Sequence, residues 1–499
     1  MTDDVHEPLL LRRVRVGLDG PVRDVRVADG MVASIESAGA DPDGAMVVDG
    51  RGGTLLPGMR DRHVHMSQWA VALQRIDLSA ARSATDAVRL MTEADRRRTG
   101  PKPEVLQGYG FRDGLWTDSP HQQMLEDAFP GRVVALVSND LHCVWLSPAA
   151  LRLVGMGHPT GVLREDDCFD AMNRLPEFGE QAVDAFVIDA ARRAAAAGVT
   201  GILDFEFTDT IAAWTRRHAM AGGLPIRVEA AIRRTLMDRA ISEGRRSGDE
   251  VPGTDGLVTV GPCKVLMDGS LNTRTALCHD AYPGMGDAQD AHGVLSQDPE
   301  ELTGSIRRAA AAGISFAVHA IGDRANALAL DCFQAAGCGG RIEHAQLVDP
   351  EDVPRFASLG VIAGVQPAHA PEDRDIADAL WHDRTGDAFP FAALVNAGAV
   401  LELGSDAPVS RLNPWHAIAA AVTRSADQRP AWHPEQSLTV QQAVAFSTGG
   451  ATAPSVGSVA DLVLVDRDPA GASPESLRDV QVWATLLAGR FTHRADLLG

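Results

Sequence analysis

Five times along the chain an Ala-rich helical stretch breaks at or near a glycine and gives way to a continuous apolar run. The units read "QAVDAFVIDAARRAAAAGVTGILDFEF", "ELTGSIRRAAAAGISFAVHAIGD", "NALALDCFQAAGCGGRIEHAQ", "DVPRFASLGVIAGVQPAH" and "FAALVNAGAVLELGSDAPV". Glycine just past a helix takes the left-handed conformation that ends it. An unbroken apolar run suits a strand covered on both faces, as strands of parallel sheets are. Such units in series predict a (β/α)8 barrel, with a flat doubly wound sheet as the alternative. Residues 72–175 fit the repeat poorly and are expected to form an excursion from an early strand.

The two ends have a different texture. "LLLRRVRVGLDG", "VRDVRVADGMVASIESAG" and "GAMVVDGRGG" near the start, and "VADLVLVDRDP" and "VQVWATLLAGRFTH" near the end, read as short strands with tight turns. Neither end alone supplies enough faces to bury a sheet. Residues 1–57 and 454–499 are therefore expected to share one discontinuous β-sandwich beside a barrel over 58–453.

The chain is long and apolar enough, at 499 residues and 45% hydrophobic, to bury a substantial core. Its net charge of -21 argues against a nucleic-acid surface, which needs basic patches. No apolar run reaches a membrane span, and the acidic start "MTDDVHEPLLLRRV" does not read as a signal peptide. The six cysteines (Cys143, Cys168, Cys263, Cys278, Cys332 and Cys338) form no CxxC pair and fit reduced thiols. A cytoplasmic protein handling a small molecule is expected, with a dimer as its assembly.

In a barrel the chemistry sits at the C-terminal ends of the strands. There the first strand carries His63 and His65 in "LLPGMRDRHVHMSQW"; residues i and i+2 of a strand share a face. Later runs carry Lys264 in "VTVGPCKVLMDG", His319 in "ISFAVHAIGD", His344 in "RIEHAQ" and Asp406 in "VLELGSDAP". Singly, each has a bland reading: a core histidine, or an aspartate binding its own backbone in a turn. Together they point to a divalent-metal site, since imidazole and carboxylate suit Zn2+ and its neighbours.

Lys264 is one of only two lysines among 46 basic residues, the other being Lys102. An unpaired ammonium in an apolar strand is costly. A neutral amine there can add CO2, and the resulting carbamate is an anionic ligand able to bridge two ions. Arginine stays charged and cannot do this. The alternative is an ion pair with Asp268 or Glu206.

At this point the sequence closely resembles the amidohydrolase superfamily, in its YtcJ-like branch (amidohydrolase family 3), and is similar to N-substituted formamide deformylases. The resemblance rests on "LLPGMRDRHVH", "GPCKVLMDGSLNTRTA", "FAVHAIGDRAN", "RIEHAQLVDPEDV", "GVQPAH", "LGSDAPV" and "VADLVLVDRDP", in the family's order across almost the whole chain. It implies a metal-dependent hydrolase on a distorted (β/α)8 barrel beside a small composite β-sandwich. His63 and His65 would bind the more buried of one or two Zn2+ ions, carbamylated Lys264 would bridge, and His319 and His344 would hold the second. Asp406 would bind metal and take the proton of the attacking water. Two positions depart from the family's pattern. Arg62 stands where a small residue is usual, and strand alternation should point it away from His63. The segment "APSVGSVADLVLV" is shortened, which bears on a turn of the sandwich.

Asp61, Glu343 and Asp323 are candidates to orient the imidazoles. Asp61 shares its parity with His63, whereas Glu343 and His344 do not, so Asp61 is the expected partner and Glu343 could instead pair with an arginine. Asp268 and Arg274 lie in the polar loop "DGSLNTRTA"; Asp268 is expected to help hold Lys264 and Arg274 to reach substrate or tie down the loop. His369, in "QPAH", is a candidate substrate or oxyanion contact. In and beside the excursion, Trp69, Tyr109, Phe111, Trp116 and Trp145 could line a pocket, but most are expected to pack. The expected reaction is hydrolysis of a small amide by metal-activated water. A lactone, ester or cyclic-amide hydrolase, a deaminase of an aminated heterocycle, and a catalytically silent binding protein are the other readings.

Overall fold

Eight parallel strands form the frame: β1 (Met59–Val64), β2 (Val199–Asp204), β3 (Arg227–Arg233), β4 (Val258–Leu266), β5 (Phe316–Ala320), β6 (Gly340–His344), β7 (Val361–Val365) and β8 (Leu401–Leu403). They pair in chain order into one sheet. In this computed structural model the described residues are 8–98, 103–113, 116–138, 143–176, 178–286, 288 and 290–498. Lys102 lies outside them. Among the described residues, no helix is long and apolar enough to cross a membrane.

The apolar runs become barrel strands because both of their faces are covered. All six residues of β2 are buried, as are all but the first of β6. Helices Asp323–Ala336 and Val353–Leu359 precede β6 and β7 and end on Gly337 (φ 73°) and Gly360 (φ 65°). Those left-handed glycines let the chain leave each helix and turn directly into the next strand.

The two ends of the chain share a second eight-stranded sheet. Its path runs Arg490–Arg494, Val482–Leu487, Leu462–Val465, Thr54–Pro57, Leu9–Val16, Val22–Ala28 and Met31–Glu36, with Met46–Asp49 paired to Leu9–Val16. The C-terminal strand Leu462–Val465 pairs antiparallel with Thr54–Pro57 from the N-terminal end. One face buries Leu9, Leu11, Val25, Val27, Leu55, Leu462, Leu464 and Leu486 in a single cluster.

Residues Ser67–Val187 form a separate compact unit. Its five-stranded sheet runs Val162–Arg164, Cys143–Leu146, Val133–Ser138, Val105–Phe111 and Ile76–Asp77. Phe111, Trp116 and Trp145 pack into one core of that unit, and Tyr109 packs against another.

Candidate metal centre

The barrel closes where its first and last strands meet. Asp406 N–H donates to the His63 carbonyl at 2.7 Å, and His65 N–H donates to the Ala407 carbonyl at 2.9 Å. This seam brings His63 Nε2 to 3.5 Å and His65 Nε2 to 3.3 Å from Asp406 Oδ1. Two donors bound tetrahedrally at about 2.0–2.1 Å from a zinc ion stand about 3.3–3.4 Å apart. Each histidine thus stands from Asp406 as a fellow ligand of one ion would. Ligand atoms of His63, His344 and Asp406 also lie within 4.8 Å of one another, and the His319 and His344 rings are 4.4 Å apart. His344 (φ 78°) and Asp406 (φ 55°) sit in left-handed backbone, a region that histidine and aspartate enter more readily than most residues.

Three of the rings are oriented by their other nitrogen, whereas His65 Nδ1 is buried without a hydrogen-bond partner. His63 Nδ1 donates to Glu343 Oε2 at 2.7 Å, and His344 Nδ1 donates to Gln366 Oε1 at 2.9 Å. Both contacts leave Nε2 as the ligand atom. His319 is turned the other way: its Nε2 lies 3.2 Å from the Gly269 carbonyl, which leaves Nδ1. Burial, helped by the charge of Lys264, pushes His63 down to about 4 and His319 to about 3. Burial and the neighbouring rings of His319 and His63 hold His344 well below the usual histidine value. These rings are uncharged near neutral pH, as metal ligands must be. Burial also opposes the charge on Asp406, but His63, His65 and His344 outweigh it and keep the group a carboxylate. The same carboxylate outweighs burial at His65 and raises that ring.

Lys264 rises from β4 into this cluster. Its Nζ is buried without a hydrogen-bond partner and lies 4.2 Å from the Phe205 ring centroid. Burial lowers it to about 8, against the pull of Glu343 and Asp406. Three uncharged imidazoles, a carboxylate and an orphaned amine fit a divalent ion, with His63, His65, His319, His344, Asp406 and Lys264 able to hold it.

Several expectations are corrected. Asp61 does not orient a ring: its Oδ1 accepts the backbone N–H groups of His63 (3.2 Å) and Ser405 (3.0 Å), so it pins the seam. Burial raises it to about 6. Glu343 takes the orienting role because it reaches across the barrel from β6 to β1. It also pairs with an arginine, through Arg341 Nε at 2.8 Å. Gly364 makes room for it: a Cβ there would lie 2.3 Å from Glu343 Oε2. Asp268 does not pair with Lys264; it accepts the N–H groups of Leu277 (2.8 Å), Ile321 (3.0 Å) and Gly322 (2.9 Å), tying the loop after β4 to the end of β5. Asp323 accepts from His279 N–H (2.9 Å) and Arg384 Nη1 (2.6 Å), away from the imidazoles. Arg274 is exposed in its loop, and among the described residues no site residue hydrogen-bonds its side chain.

Arg62 does not point away. Between the pairs Ile202↔Asp61 and Asp204↔Val64, β1 carries one residue more than β2. This bulge breaks the alternation and re-aims the side chain. The Arg62 guanidinium reaches Glu229 (2.5 and 3.0 Å) and Glu402 (2.9 Å). Glu402 also pairs with Arg341, so a chain of charges runs from Arg62 through Glu402, Arg341 and Glu343 to His63. Arg341, Glu402 and Gln366 were not singled out in the sequence. Arg341 and Gln366 lie in the stretches "RIEHAQ" and "GVQPAH", where the histidines drew attention.

A barrel with these groups at its strand ends defines the class of metal-dependent hydrolases. The amidohydrolase family profile matches residues 46–493, and the chain belongs to that family. It is 27% identical over 484 residues to the putative amidohydrolase YtcJ of Bacillus subtilis, covering 89% of each chain. It is 26% identical over 519 residues to the N-substituted formamide deformylase of Arthrobacter pascens, covering 93% of this chain and 94% of that one. The crystal structure of an uncharacterized metal-dependent hydrolase from Pyrococcus horikoshii superposes with a TM-score of 0.77 at 22% identity, over 94% of this chain and 99% of the other.

Proposed function

We propose that the protein hydrolyses the C–N bond of a small non-peptide amide, of the N-substituted formamide class, with Zn2+ held at the seam. The observation that carries the hydrolytic reading is that His63, His344 and Asp406 bring their ligand atoms within 4.8 Å of one another, with His65 Nε2 3.3 Å from Asp406 and Lys264 unpartnered. The formamide class is supported by the likeness to the Arthrobacter pascens enzyme along nearly the full length of both chains. A divalent ion here would supply Lewis acidity, lowering the pKa of water and polarising the amide carbonyl.

The chain's own groups do the rest. Asp406, held as a carboxylate, accepts a proton from the attacking water and passes it to the leaving nitrogen. Glu343 and Gln366 keep the Nε2 lone pairs of His63 and His344 directed into the site. Lys264 as its neutral amine would add CO2 and release a proton, giving an anionic carbamate that could serve as a further metal ligand. The reading is tested with zinc-loaded protein on a panel of N-alkylformamides, acylamines, lactones and aminated heterocycles. Formate release with amine is the expected outcome; ammonia or hydroxy acid as the sole product refutes it. Asp406→Asn is expected to lose about 10²–10⁴-fold in turnover while retaining much of its metal. Near-normal turnover of metal-loaded D406N would remove the proton-carrying role.

A further inference from the structure

His369 is the group at the mouth that neither metal binding nor the seam uses. It opens the helix His369–Leu380 that follows β7, and it is 4% exposed. Its ring lies parallel to that of His344, with centroids 6.3 Å apart and planes inclined by 10°. Its two nitrogens have unlike surroundings. Nδ1 is 3.3 Å from the side-chain amide nitrogen of Gln346, itself buried. Nε2 is buried with no hydrogen-bond partner, and it faces Asp406 Oδ2 at 3.9 Å, too far for a hydrogen bond.

The tautomer follows from both ends of the ring. The Gln346 NH2 group donates to Nδ1, so the ring proton belongs on Nε2. The facing Asp406 carboxylate favours the same arrangement, because an Nε2 lone pair aimed at it would be repelled. The result is a buried N–H donor, fixed in direction and left free, beside the carboxylate whose other oxygen faces His63 and His65. An orphaned donor of this kind costs roughly 1–3 kcal/mol in the resting protein. It is the preorganised feature that stabilises charge developing on a substrate. Its place at the first residue of a twelve-residue helix adds the positive end of the helix dipole.

We propose that His369 is a catalytic residue, donating its Nε2–H to the amide carbonyl oxygen as that oxygen gathers negative charge. This rests on the hydrolase reading above. In the step it serves, water oxygen bonds to the carbonyl carbon and the π pair moves onto the oxygen. Collapse then re-forms the C=O bond, breaks C–N and leaves the proton carried by Asp406 on the amine. His369 transfers no proton; it holds the oxyanion through one hydrogen bond.

The test compares zinc-loaded wild type, His369→Ala and His369→Gln in metal content, kinetics on N-butylformamide and binding of methylphosphonate, a tetrahedral oxyanion. For H369A the expected result is a fall in kcat of about 10²–10³-fold, with KM nearly unchanged and metal content equal to wild type. Methylphosphonate binding should weaken by about tenfold or more, and H369Q, which keeps an N–H donor of similar reach, should recover part of both losses. Wild-type kcat in H369A overturns the proposal, and so does loss of zinc from it, which would make His369 a ligand. If the wild type cleaves no formamide, the hydrolytic reading of that class fails while the phosphonate arm still decides: equal affinity in wild type and both variants overturns the role of His369. Should H369A not fold, H369Q alone decides: wild-type-like zinc content with partly weakened phosphonate binding supports the role, and zinc loss or unchanged phosphonate affinity overturns it.

Discussion

Replacing Glu343 by Gln tests how the centre is built with the smallest change in shape. The Glu343 carboxylate serves two donors, one on each oxygen: Arg341 Nε at 2.8 Å on Oε1 and His63 Nδ1 at 2.7 Å on Oε2. A carboxamide of the same size has one acceptor oxygen and one NH2 group. Arginine has no acceptor to offer, so the oxygen stays with Arg341 and the NH2 turns to His63. His63 must then accept at Nδ1, which moves its proton to Nε2, the atom that faces Asp406 and would hold the ion. Forcing this tautomer, or breaking the contact, should cost about 10–100-fold in metal affinity, or about 1.4–2.7 kcal/mol. Zinc competition against a graded series of chelators reads that change directly, and the melting temperature of the metal-free protein reports folding separately. A variant that melts as the wild type does and binds zinc equally well would refute the orienting role.

Lys264→Met should lower zinc stoichiometry and remove a labile adduct with the mass of one CO2, which native mass spectrometry should find in the wild type in bicarbonate above about pH 8. An adduct-free wild type with full metal would count against the carbamate. The metal-free protein should lose stability as pH falls below about 4. His319 (about 3) lies below the unfolded histidine value of 6.5 and His344 well below it, and Glu343 and Asp406 are held below their usual carboxylate values, so the unfolded chain binds more protons there. Each group contributes at most about 1.4 kcal/mol per pH unit. Between 3.8 and 6.5 the contributions oppose one another: His63 (about 4) and His319 act in the same sense, whereas Asp61, raised to about 6, and Asp268, raised to about 7, act in the opposite one. Urea midpoints at pH 4.5 and 3.5 check the net direction. Arg62→Met leaves Glu229 and Glu402 without a shared partner and should destabilise the protein by about 1–3 kcal/mol, read as a lower urea midpoint at pH 7.

What the sequence disclosed and what it hid divide along physical lines. The ligand candidates were legible because residue type and strand-end position together specify them: histidine, aspartate and a rare lysine at the ends of apolar runs have few other uses. The barrel was legible because helix stops and doubly covered strands leave local marks. Contacts across the barrel left none. Periodicity says which residues share a face of one strand, so it favoured Asp61 for His63 and passed over Glu343, which arrives from β6. It also assumes an unbroken ladder, and the extra residue in β1 turned Arg62 inward against that assumption. The five-stranded sheet within 67–187 was missed for a related reason: its strands are short and mixed in direction, and no repeat announces them.

The seam has a bearing on how the chain holds together. His63 and Asp406 are far apart in the sequence, and their strands meet there through Asp406 N–H to the His63 carbonyl, His65 N–H to the Ala407 carbonyl and an isolated bridge between Val64 and Ala407. An ion bound by both side chains would be a covalent-like crosslink closing a very long loop, and in the unfolded chain such a loop costs on the order of 5 kcal/mol to close. Occupancy would then set the barrel's cohesion as well as its chemistry. Without metal, the ring of strands should open first between its two ends, like a bracelet at its clasp.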